Sequence, residues 1–581
     1  MKPRINFQRY FMQIYSFSPF GYEGALVTVE VDIRRGIPAI DLVGLADNAV
    51  KEARERMQAA IRNSGFDFPP ERVLISLSPA DLKKEGAGFD LPIALAVLHA
   101  QQNSSNPESD SAASNAQILI MGELELSGKI RAVRGVHAAA STAAAGGIRM
   151  CIVPAANADE AREAAGMAVF GADTLEDAFA ALNNHDVFSK KTATSENDRE
   201  YYPDCEFTEN VPFCRITDEL EYAHVKGQKK LVRALQVAAA GGHNLLAVGA
   251  PGCGKTMALQ KFPALVPALT KEESQSVSRI HSLAGLMSPD KPAVCMPPFR
   301  MPHQTATIEG LCGGGTQCRP GEISLAHNGI LFLDEAPEFK SSVLQMLRVP
   351  METARISLSR AGRSTVFPAD FQLLMAANPC PCGNFGSENK ICLCSARSIE
   401  MYWKKFSAPL LDRVDIRIYV SNENTSTQES EPISTSELRK AIARAVIIQR
   451  KRQGKKNSKL TPPEIVRFCK IDKESKAILD ASCSKYGFSP RAASSILKLS
   501  RTIADMEEKN DIEQKENDGN IKEKKEIEII REENKNKDDN IQIKNEINKV
   551  SKKEKEENII INKDTKKEKE INNQIYFFHI T

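Results

Sequence analysis

A glycine-rich loop between two apolar segments constrains the fold of this chain more than any other feature. Its residues are Gly249, Ala250, Pro251, Gly252, Cys253, Gly254, Lys255 and Thr256. The loop follows the apolar run 244–248 and precedes residues 257–260, so the pattern predicts a strand, a loop and a helix in that order. Glycines let backbone N–H groups surround phosphates, a lysine supplies positive charge, and a threonine hydroxyl can bind Mg²⁺. We therefore predict an α/β domain with a nucleotide phosphate site.

A second motif supports this prediction. The apolar run 330–333 ends in two acids, Asp334 and Glu335. Asp334 would hold Mg²⁺ together with Thr256, and Glu335 would polarise an attacking water. A buried strand followed by solvated acids is the alternative. The two motifs together favour hydrolysis of ATP.

Length, charge and cysteine content limit the number of domains, the kind of partner and the cellular compartment. A chain of 581 residues should contain several domains. Its 77 basic and 75 acidic residues nearly cancel, so any polyanion site must be local. The thirteen cysteines occur without a convincing targeting segment and without an apolar run of about 18 residues. We expect reduced thiols in the cytoplasm and no membrane partner.

The pattern of the sequence divides the chain into five segments. An α+β domain is expected over 12–182, with strands such as 25–33 and helices such as 47–64 and 135–145, followed by a polar linker over 183–211. The ATPase domain covers 212–425, a helical lid covers 426–508, and a charged tail covers 509–581. The tail is nearly all Lys, Glu, Asp, Asn and Ile, which predicts disorder; a charged coiled coil is the alternative.

Residues 12 to about 506 closely resemble the YifB/ComM family, which is similar to magnesium-chelatase ATPase subunits within the AAA+ class. Three stretches carry the resemblance: 41–56, 80–92 and 320–329. It implies an AAA+ P-loop domain with a helical lid. It also implies that 12–182 adopts the fold shared by Lon protease domains and ribosomal protein S5 domain 2.

The same resemblance allows a test for Lon-type proteolysis, which needs a serine activated by a lysine. The stretch 86–90, where that serine should fall, contains none, and His137 stands where the lysine should. We therefore expect a non-proteolytic domain, in which Asp90 and Lys84 are structural or interface residues.

The resemblance also extends the ATPase site. Asn378 is similar to the sensor-1 residue that orients water, although it could be a strand-end turn residue before a proline. Arg491, at the start of a lid helix, is similar to sensor 2. Gly227 and Gln228 resemble the segment that packs near adenine.

Arg413 resembles an arginine finger, which completes the nucleotide site of a neighbouring subunit. Local pairing with Asp412 or Asp415 is the alternative. A finger supplied by a neighbour requires a ring, so we expect a homo-oligomer, by family analogy a hexamer.

Four cysteines form two close pairs, namely Cys380, Cys382, Cys392 and Cys394. Four thiolates can close a tetrahedral Zn²⁺ site, and a reducing compartment disfavours disulfides. The alternative is a reduced, partly buried loop.

Residues 354–367 alternate in polarity around a glycine turn, which predicts a β-hairpin. The resemblance implies a hairpin that faces the pore of a ring at this point of the chain. Arg360 and Arg363 near its tip could then contact DNA phosphates. Solvated turn arginines are the alternative.

Taken together, we expect a Mg²⁺-dependent ATPase ring acting on DNA, with ComM-type branch migration in recombination or natural transformation as the specific implication. One alternative is a chelatase-type ATPase that remodels a protein partner. Another is a nucleotide-binding scaffold with impaired hydrolysis, because the family continues into a final lid helix where this chain, after 506, becomes a charged tail.

Overall fold

The structure, a computed structural model, describes residues 12–509 apart from a few short segments. Those segments are 46–47, 81, 83, 85, 106–115, 165, 191–197, 361–362, 387–389 and 421–432. From residue 510 onward the predicted charged tail lies outside the described residues.

The amino-terminal region, residues 12–190, is a mixed α/β layer structure. Its strands are β1 (Gln13–Ser18), β2 (Ala25–Arg34), β3 (Ala39–Val43), β4 (Arg72–Ser78), β5 (Gln117–Ile120), β6 (Glu123–Leu124), β7 (Ile130–Arg131), β8 (Met150–Pro154), β9 (Ala168–Ala172) and β10 (Ser189–Lys190). Its helices are α1 (Asn48–Asn63), α2 (Asp90–Ser105), α3 (Val136–Ala145), α4 (Ala158–Arg162) and α5 (Leu175–Asn183). The main sheet has the order β10-β9-β8-β5-β1-β2-β4-β3.

Residue patterns explain this sheet. Strand β4 alternates, so that Val73, Ile75 and Leu77 point into the core. Strands β5 and β8 are almost continuously apolar and run parallel, as expected for strands covered on both faces. The predicted strand 25–33 and the predicted helices near 47–64 and 135–145 are confirmed by β2, α1 and α3.

The phosphate-loop region, residues 198–420, contains the second large sheet. Its strands are β11 (Cys205–Thr208), β12 (Val211–Cys214), β13 (Leu245–Gly249), β14 (Phe299–Arg300), β15 (Gly313–Gly314), β16 (Arg319–Pro320), β17 (Ile330–Leu333), β18 (Arg355–Arg360), β19 (Arg363–Pro368), β20 (Gln372–Ala377) and β21 (Ile416–Val420). Its helices are α6 (Asp198–Tyr201), α7 (Lys229–Gly241), α8 (Lys255–Gln260), α9 (Lys271–Ala284), α10 (Ile308–Cys312), α11 (Glu322–Leu325), α12 (Ser341–Met346), α13 (Arg348–Thr353), α14 (Ala396–Trp403) and α15 (Ala408–Leu411).

This second sheet is parallel throughout its five strands, in the order β14-β17-β20-β13-β21. Strand β20 therefore lies between β13, which leads into the glycine loop, and β17, which ends in the two acids. Because the carboxyl ends of parallel strands meet at one edge, this order brings the loop, the acids and the end of β20 together. The arrangement is consistent with a P-loop domain of the AAA+ type.

The described parts of the expected linker, 183–211, form strand pairs and buried contacts that a polar composition does not indicate. Strand β10 pairs with β9 at the edge of the first sheet, and β11 pairs with β12. The Tyr202 side chain is buried, and its hydroxyl donates to the Leu269 carbonyl at 2.5 Å. Aromatic residues within a polar segment thus attach it to the phosphate-loop region, a contact that local composition does not predict.

Helices dominate residues 433–509, as predicted. They are α16 (Thr435–Gln453), α17 (Pro462–Phe468), α18 (Lys473–Tyr486) and α19 (Pro490–Met506). Helix α16 packs on α7, where the Gln236 side-chain amide donates to the Leu438 carbonyl at 3.0 Å. Buried Asp505 accepts from Arg452 and Arg501, which ties the end of α19 to α16.

The amino-terminal and phosphate-loop regions contact each other through α3 and α9. Buried Glu160 accepts hydrogen bonds from the Ser282 hydroxyl at 2.5 Å and from the His137 backbone N–H at 3.0 Å. An apolar cluster that includes Phe17, Leu283 and Phe367 continues the interface to the base of the β18–β19 hairpin. In the described part of the chain, no helix combines the length and apolar character needed to cross a membrane.

Candidate nucleotide site

The glycine loop adopts a backbone that its glycines make accessible. Gly252 and Gly254 have φ values of +80° and +85°, which favour residues without a Cβ. A Cβ on Gly249 would lie 2.2 Å from the Val420 carbonyl oxygen on the neighbouring strand. These three positions explain why the turn between β13 and α8 needs glycine.

Lys255 is buried inside this loop. Its Nζ donates to the carbonyl oxygens of Gly249 at 2.6 Å and Ala250 at 2.9 Å, and it lies 3.5 Å from Asn378 Oδ1. The ammonium group is therefore held at the mouth of the loop, at the end of β20.

Thr256 and Asp334 are in direct contact across the two strands. The Thr256 hydroxyl donates to Asp334 Oδ1 at 3.0 Å. A hydroxyl and a carboxylate are hard oxygen ligands of the kind that Mg²⁺ binds. The residues present therefore fit the predicted metal.

Glu335 has a left-handed backbone, with φ 48° and ψ 47°. Its N–H donates to Asp334 Oδ1 at 3.0 Å, and its carboxylate accepts from the Gln304 side-chain amide at 2.5 Å. A non-glycine residue in this conformation is uncommon, and such residues cluster at functional sites. Gln304 follows β14, and no pattern in the sequence singled it out.

A cavity of about 320 Å³ lies at this edge of the sheet. It is lined by Pro251, Gly252, Gly254, Lys255, Thr256, Met257, Asp334, Glu335, Ala376, Ala377 and Asn378. Eight residues chosen from the sequence for the nucleotide site thus share one cavity: Pro251, Gly252 and Gly254 of the glycine loop, together with Lys255, Thr256, Asp334, Glu335 and Asn378. Gly227 and Gln228, expected near adenine, are not among the lining residues; Gln228 is the N-cap of α7.

The two predicted arginines, Arg413 and Arg491, do not line this cavity. Arg413 lies just before β21, whose first residue, Ile416, pairs with Leu245 at the start of β13. The glycine loop follows the other end of β13, about 13 Å from Leu245 along the strand axis.

Glu352 on α13 binds both arginines. Its carboxylate accepts from Arg413 at 2.5 Å and from Arg491 at 3.1 Å. The hydrogen bond from Arg413, followed by that from Arg491, lowers the pKa of Glu352 below its usual value. Asp412 and Asp415, the local partners named in the alternative for Arg413, accept from Ser489, the N-cap of α19, and from Ser495.

The four predicted zinc ligands lie together. The sulfur atoms of Cys380, Cys382, Cys392 and Cys394 are all within 4.8 Å of one another. All four are free cysteines, and Cys380 is buried.

The predicted β-hairpin is confirmed by β18 and β19, in which Arg360 pairs with Arg363. The side chains of these two arginines, and the residues 361–362 between them, lie outside the described part of the structure. The expected DNA contact therefore stays a prediction. The middle of β19 is anchored by Thr365, whose hydroxyl accepts from the Tyr22 N–H at 3.0 Å.

In the amino-terminal region, His137 is fully buried against α9. Its Nε2 donates to Gln275 Oε1 at 3.0 Å, and burial lowers its pKa from 6.5 to about 4. Asp90 is also buried and receives two hydrogen bonds from Arg56, at 2.8 and 3.0 Å. Buried Lys84 donates to the Pro79 carbonyl. These contacts give all three residues structural partners.

A parallel sheet with a phosphate loop after one strand and paired acids after another defines the P-loop class of α/β proteins. Family models agree with this class. They match residues 29–157 as "Subunit ChlI of Mg-chelatase", 221–428 as "Magnesium chelatase, subunit ChlI" and 432–521 as "Magnesium chelatase, subunit ChlI C-terminal". The last match ends inside the segment predicted to be the charged tail.

Curated relatives cover most of the chain. Competence protein ComM of Haemophilus influenzae is 37% identical over 501 residues, which is 85% of this chain and 93% of that protein. Uncharacterized protein YifB of Escherichia coli K12 is 36% identical over 499 residues, again 85% and 93%. YifB of Salmonella typhimurium gives the same values. The chain belongs to the YifB/ComM family of magnesium-chelatase-like proteins.

Proposed function

We propose that the protein is a Mg²⁺-dependent AAA+ ATPase that forms a homo-hexameric ring and moves on DNA, promoting ComM-type branch migration in recombination or natural transformation. The observation that carries the proposal is the convergence of five residues on one cavity: Lys255, Thr256, Asp334, Glu335 and Asn378. Family membership supports the same activity.

Each residue of the cavity has a role that follows from its chemistry. Lys255 binds the phosphates of ATP, and Thr256 and Asp334 hold Mg²⁺. When bound, Mg²⁺ neutralises charge on the phosphates. Glu335 accepts a proton from the attacking water, and the Asn378 amide orients that water. The Gln304 contact keeps the Glu335 carboxylate in position.

The position of the arginines supports a ring. Arg413 and Arg491 do not line the cavity of their own chain and donate to Glu352 instead. Since a guanidinium stabilises charge that develops in the transition state, both arginines would serve a neighbouring subunit. The cavity of one chain is then completed by the Glu352-bound pair of the next.

The DNA substrate is supported by two features. One relative, which this chain matches over 93% of the relative's length, is named a competence protein. The β18–β19 hairpin extends from the phosphate-loop region and has arginines at its last paired positions, 360 and 363.

We further propose that residues 12–182 form a Lon-like, non-proteolytic domain, which is supported by the burial of His137 and Asp90.

The test is the ATPase rate with and without forked or four-way DNA. Such DNA should stimulate turnover, and Glu335→Gln should abolish turnover while the assembled ring stays on DNA. Glu338→Gln, the same change at an exposed position nearby, is the matched control. Stimulation by a protein partner alone would favour the chelatase-type alternative. Nucleotide binding without turnover would favour the scaffold.

A further inference from the structure

We propose that Cys380, Cys382, Cys392 and Cys394 bind one structural Zn²⁺, and that this metal holds residues 380–385 against the phosphate loop. The second part of the inference rests on the proposed nucleotide function. The first part stands on the cysteines alone.

The spacing of the sulfur atoms matches a tetrahedral thiolate site. The Sγ atoms of Cys380, Cys382 and Cys392 are separated by 3.4, 3.6 and 3.7 Å. Zn–S bonds of about 2.3 Å place the sulfurs of a regular tetrahedron about 3.8 Å apart. Cys394 Sγ lies within 4.8 Å of the other three and supplies the fourth corner.

The ligand set also favours a structural metal. Four cysteines leave no open position for water or substrate, which is the usual arrangement of structural zinc. The thiols would bind as thiolates, and their protons would pass to solvent. The sulfurs stand well beyond the S–S bond length of about 2.05 Å, so the cluster is not arranged as a disulfide.

The location of the cluster gives the metal a consequence for the cavity. Cys380 is two residues beyond Asn378, at the end of β20. Between them, the Pro379 carbonyl accepts from Trp403 Nε1 at 3.0 Å. A metal bound to Cys380 would therefore fix the segment that carries Asn378.

The same loop touches the phosphate loop directly. Gly383 is buried, and a Cβ at this position would lie 2.4 Å from Pro251 Cγ. The two loops therefore pack so closely that there is no room for a side chain at Gly383. The Phe385 N–H donates to Cys380 Sγ at 3.4 Å and holds the turn around Gly383. Zinc would thus restrict the movement of Pro251 and favour the nucleotide-binding shape of the loop.

The first experiment measures metal on the full chain, purified without a metal-affinity step, by inductively coupled plasma mass spectrometry. We expect about one zinc per chain, and substitution by Co²⁺ should give the absorption of a tetrahedral thiolate complex. Cys382→Ser and Cys394→Ser should lose most of the zinc, whereas Cys483→Ser on α18 should keep it. A chain that stays metal-free after incubation with Zn²⁺ would overturn the site.

The second experiment titrates a fluorescent ATP analogue. Removal of zinc from the wild-type chain with a chelator, and separately Cys382→Ser, should weaken binding about tenfold, with recovery of the wild type when Zn²⁺ is restored. If the zinc-free chain binds the ATP analogue with unchanged affinity, the contact between Gly383 and Pro251 has no role in nucleotide binding. A chain that holds zinc but never binds nucleotide would reject the proposed function and leave the metal site standing.

Discussion

At the scale of single residues, Glu352 joins two arginines that belong to separate sequence motifs. Arg413 comes just before β21, and Arg491 comes from the start of α19, yet both donate to one carboxylate. Arg413 is 12% exposed and Arg491 is 41% exposed. In the proposed ATPase, Glu352 would therefore be a positioning residue, because its carboxylate orients both guanidinium groups.

Glu352→Gln should lower ATP turnover about tenfold without weakening nucleotide binding, because the arginines lose orientation while the cavity stays intact. Arg413→Ala should cost more, roughly 10³-fold or above. Steady-state kinetics should separate these effects as a fall in kcat with little change in KM. Glu400→Gln, which breaks a surface pair with Lys404, is the matched control. A raised turnover in Glu352→Gln would mean that the contact restrains the arginines instead.

His137 gives a prediction for pH. Burial lowers its pKa from 6.5 to about 4, while its neighbours are the Gln275 amide and the Arg279 cation. Between these pH values the unfolded chain binds a proton that the folded chain does not, so stability falls as the pH drops from 6.5 towards 4. The loss should not exceed about 3 kcal/mol.

In His137→Gln, stability should therefore depend less on pH than in the wild type. Urea unfolding at about pH 7 and about pH 5 would measure this difference. His224→Gln, at a side chain that is 52% exposed, should keep the wild-type slope. An identical slope in His137→Gln would show that His137 already titrates normally in the folded chain.

At the scale of elements, the β18–β19 hairpin was predictable because alternation and a glycine turn determine it locally. The anchoring of its base was not predictable. Tyr22 packs edge-on against Phe367 with ring centroids 5.9 Å apart, and these residues are far apart in the chain. Contacts of this kind depend on how two regions pack, which periodicity does not report.

Arg360→Ala combined with Arg363→Ala should reduce DNA-stimulated turnover and leave basal turnover unchanged, since the hairpin is separate from the cavity residues. ATPase assays over a range of salt concentrations would measure this, because lost phosphate contacts also flatten the salt dependence of DNA binding. Arg355→Ala, at the exposed base of the same hairpin, is the control. Equal loss of basal and stimulated activity would reject a DNA-contact role.

The same contrast applies to the elements of the cavity. The convergence of Lys255, Asp334 and Asn378 could be anticipated, because each follows or ends an apolar strand and the strands are parallel. Gln304 and Glu352 could not, since each is an ordinary polar residue whose partner is set only by tertiary packing. The contacts of Tyr201 and Tyr202 with Ser274 and Leu269 could not be anticipated for a related reason, because these partners are distant in the chain.

At the scale of the whole molecule, the cavity beside the glycine loop and the arginine pair bound to Glu352 are two separate sites on one chain. Such an arrangement suits head-to-tail contacts between copies, which close into a ring when the rotation between neighbours allows it. The amino-terminal region is joined to this unit through α3 and α9. Phe367 of the hairpin packs in the same buried cluster as Phe17 of the amino-terminal region and Leu283 of α9.

Mixing two inactive variants tests this arrangement directly. Lys255→Ala lacks the phosphate-binding lysine but keeps Arg413, and Arg413→Ala lacks the arginine but keeps Lys255. If the arginine acts on the neighbouring chain, equal mixing should restore activity at about a quarter of the interfaces, where an intact cavity meets an intact arginine. Each variant alone should stay inactive, and a mixture with Lys255→Ala/Arg413→Ala in place of either single variant should gain nothing. Failure of the two single variants to complement, although they co-assemble on size-exclusion chromatography, would mean that Arg413 serves its own chain.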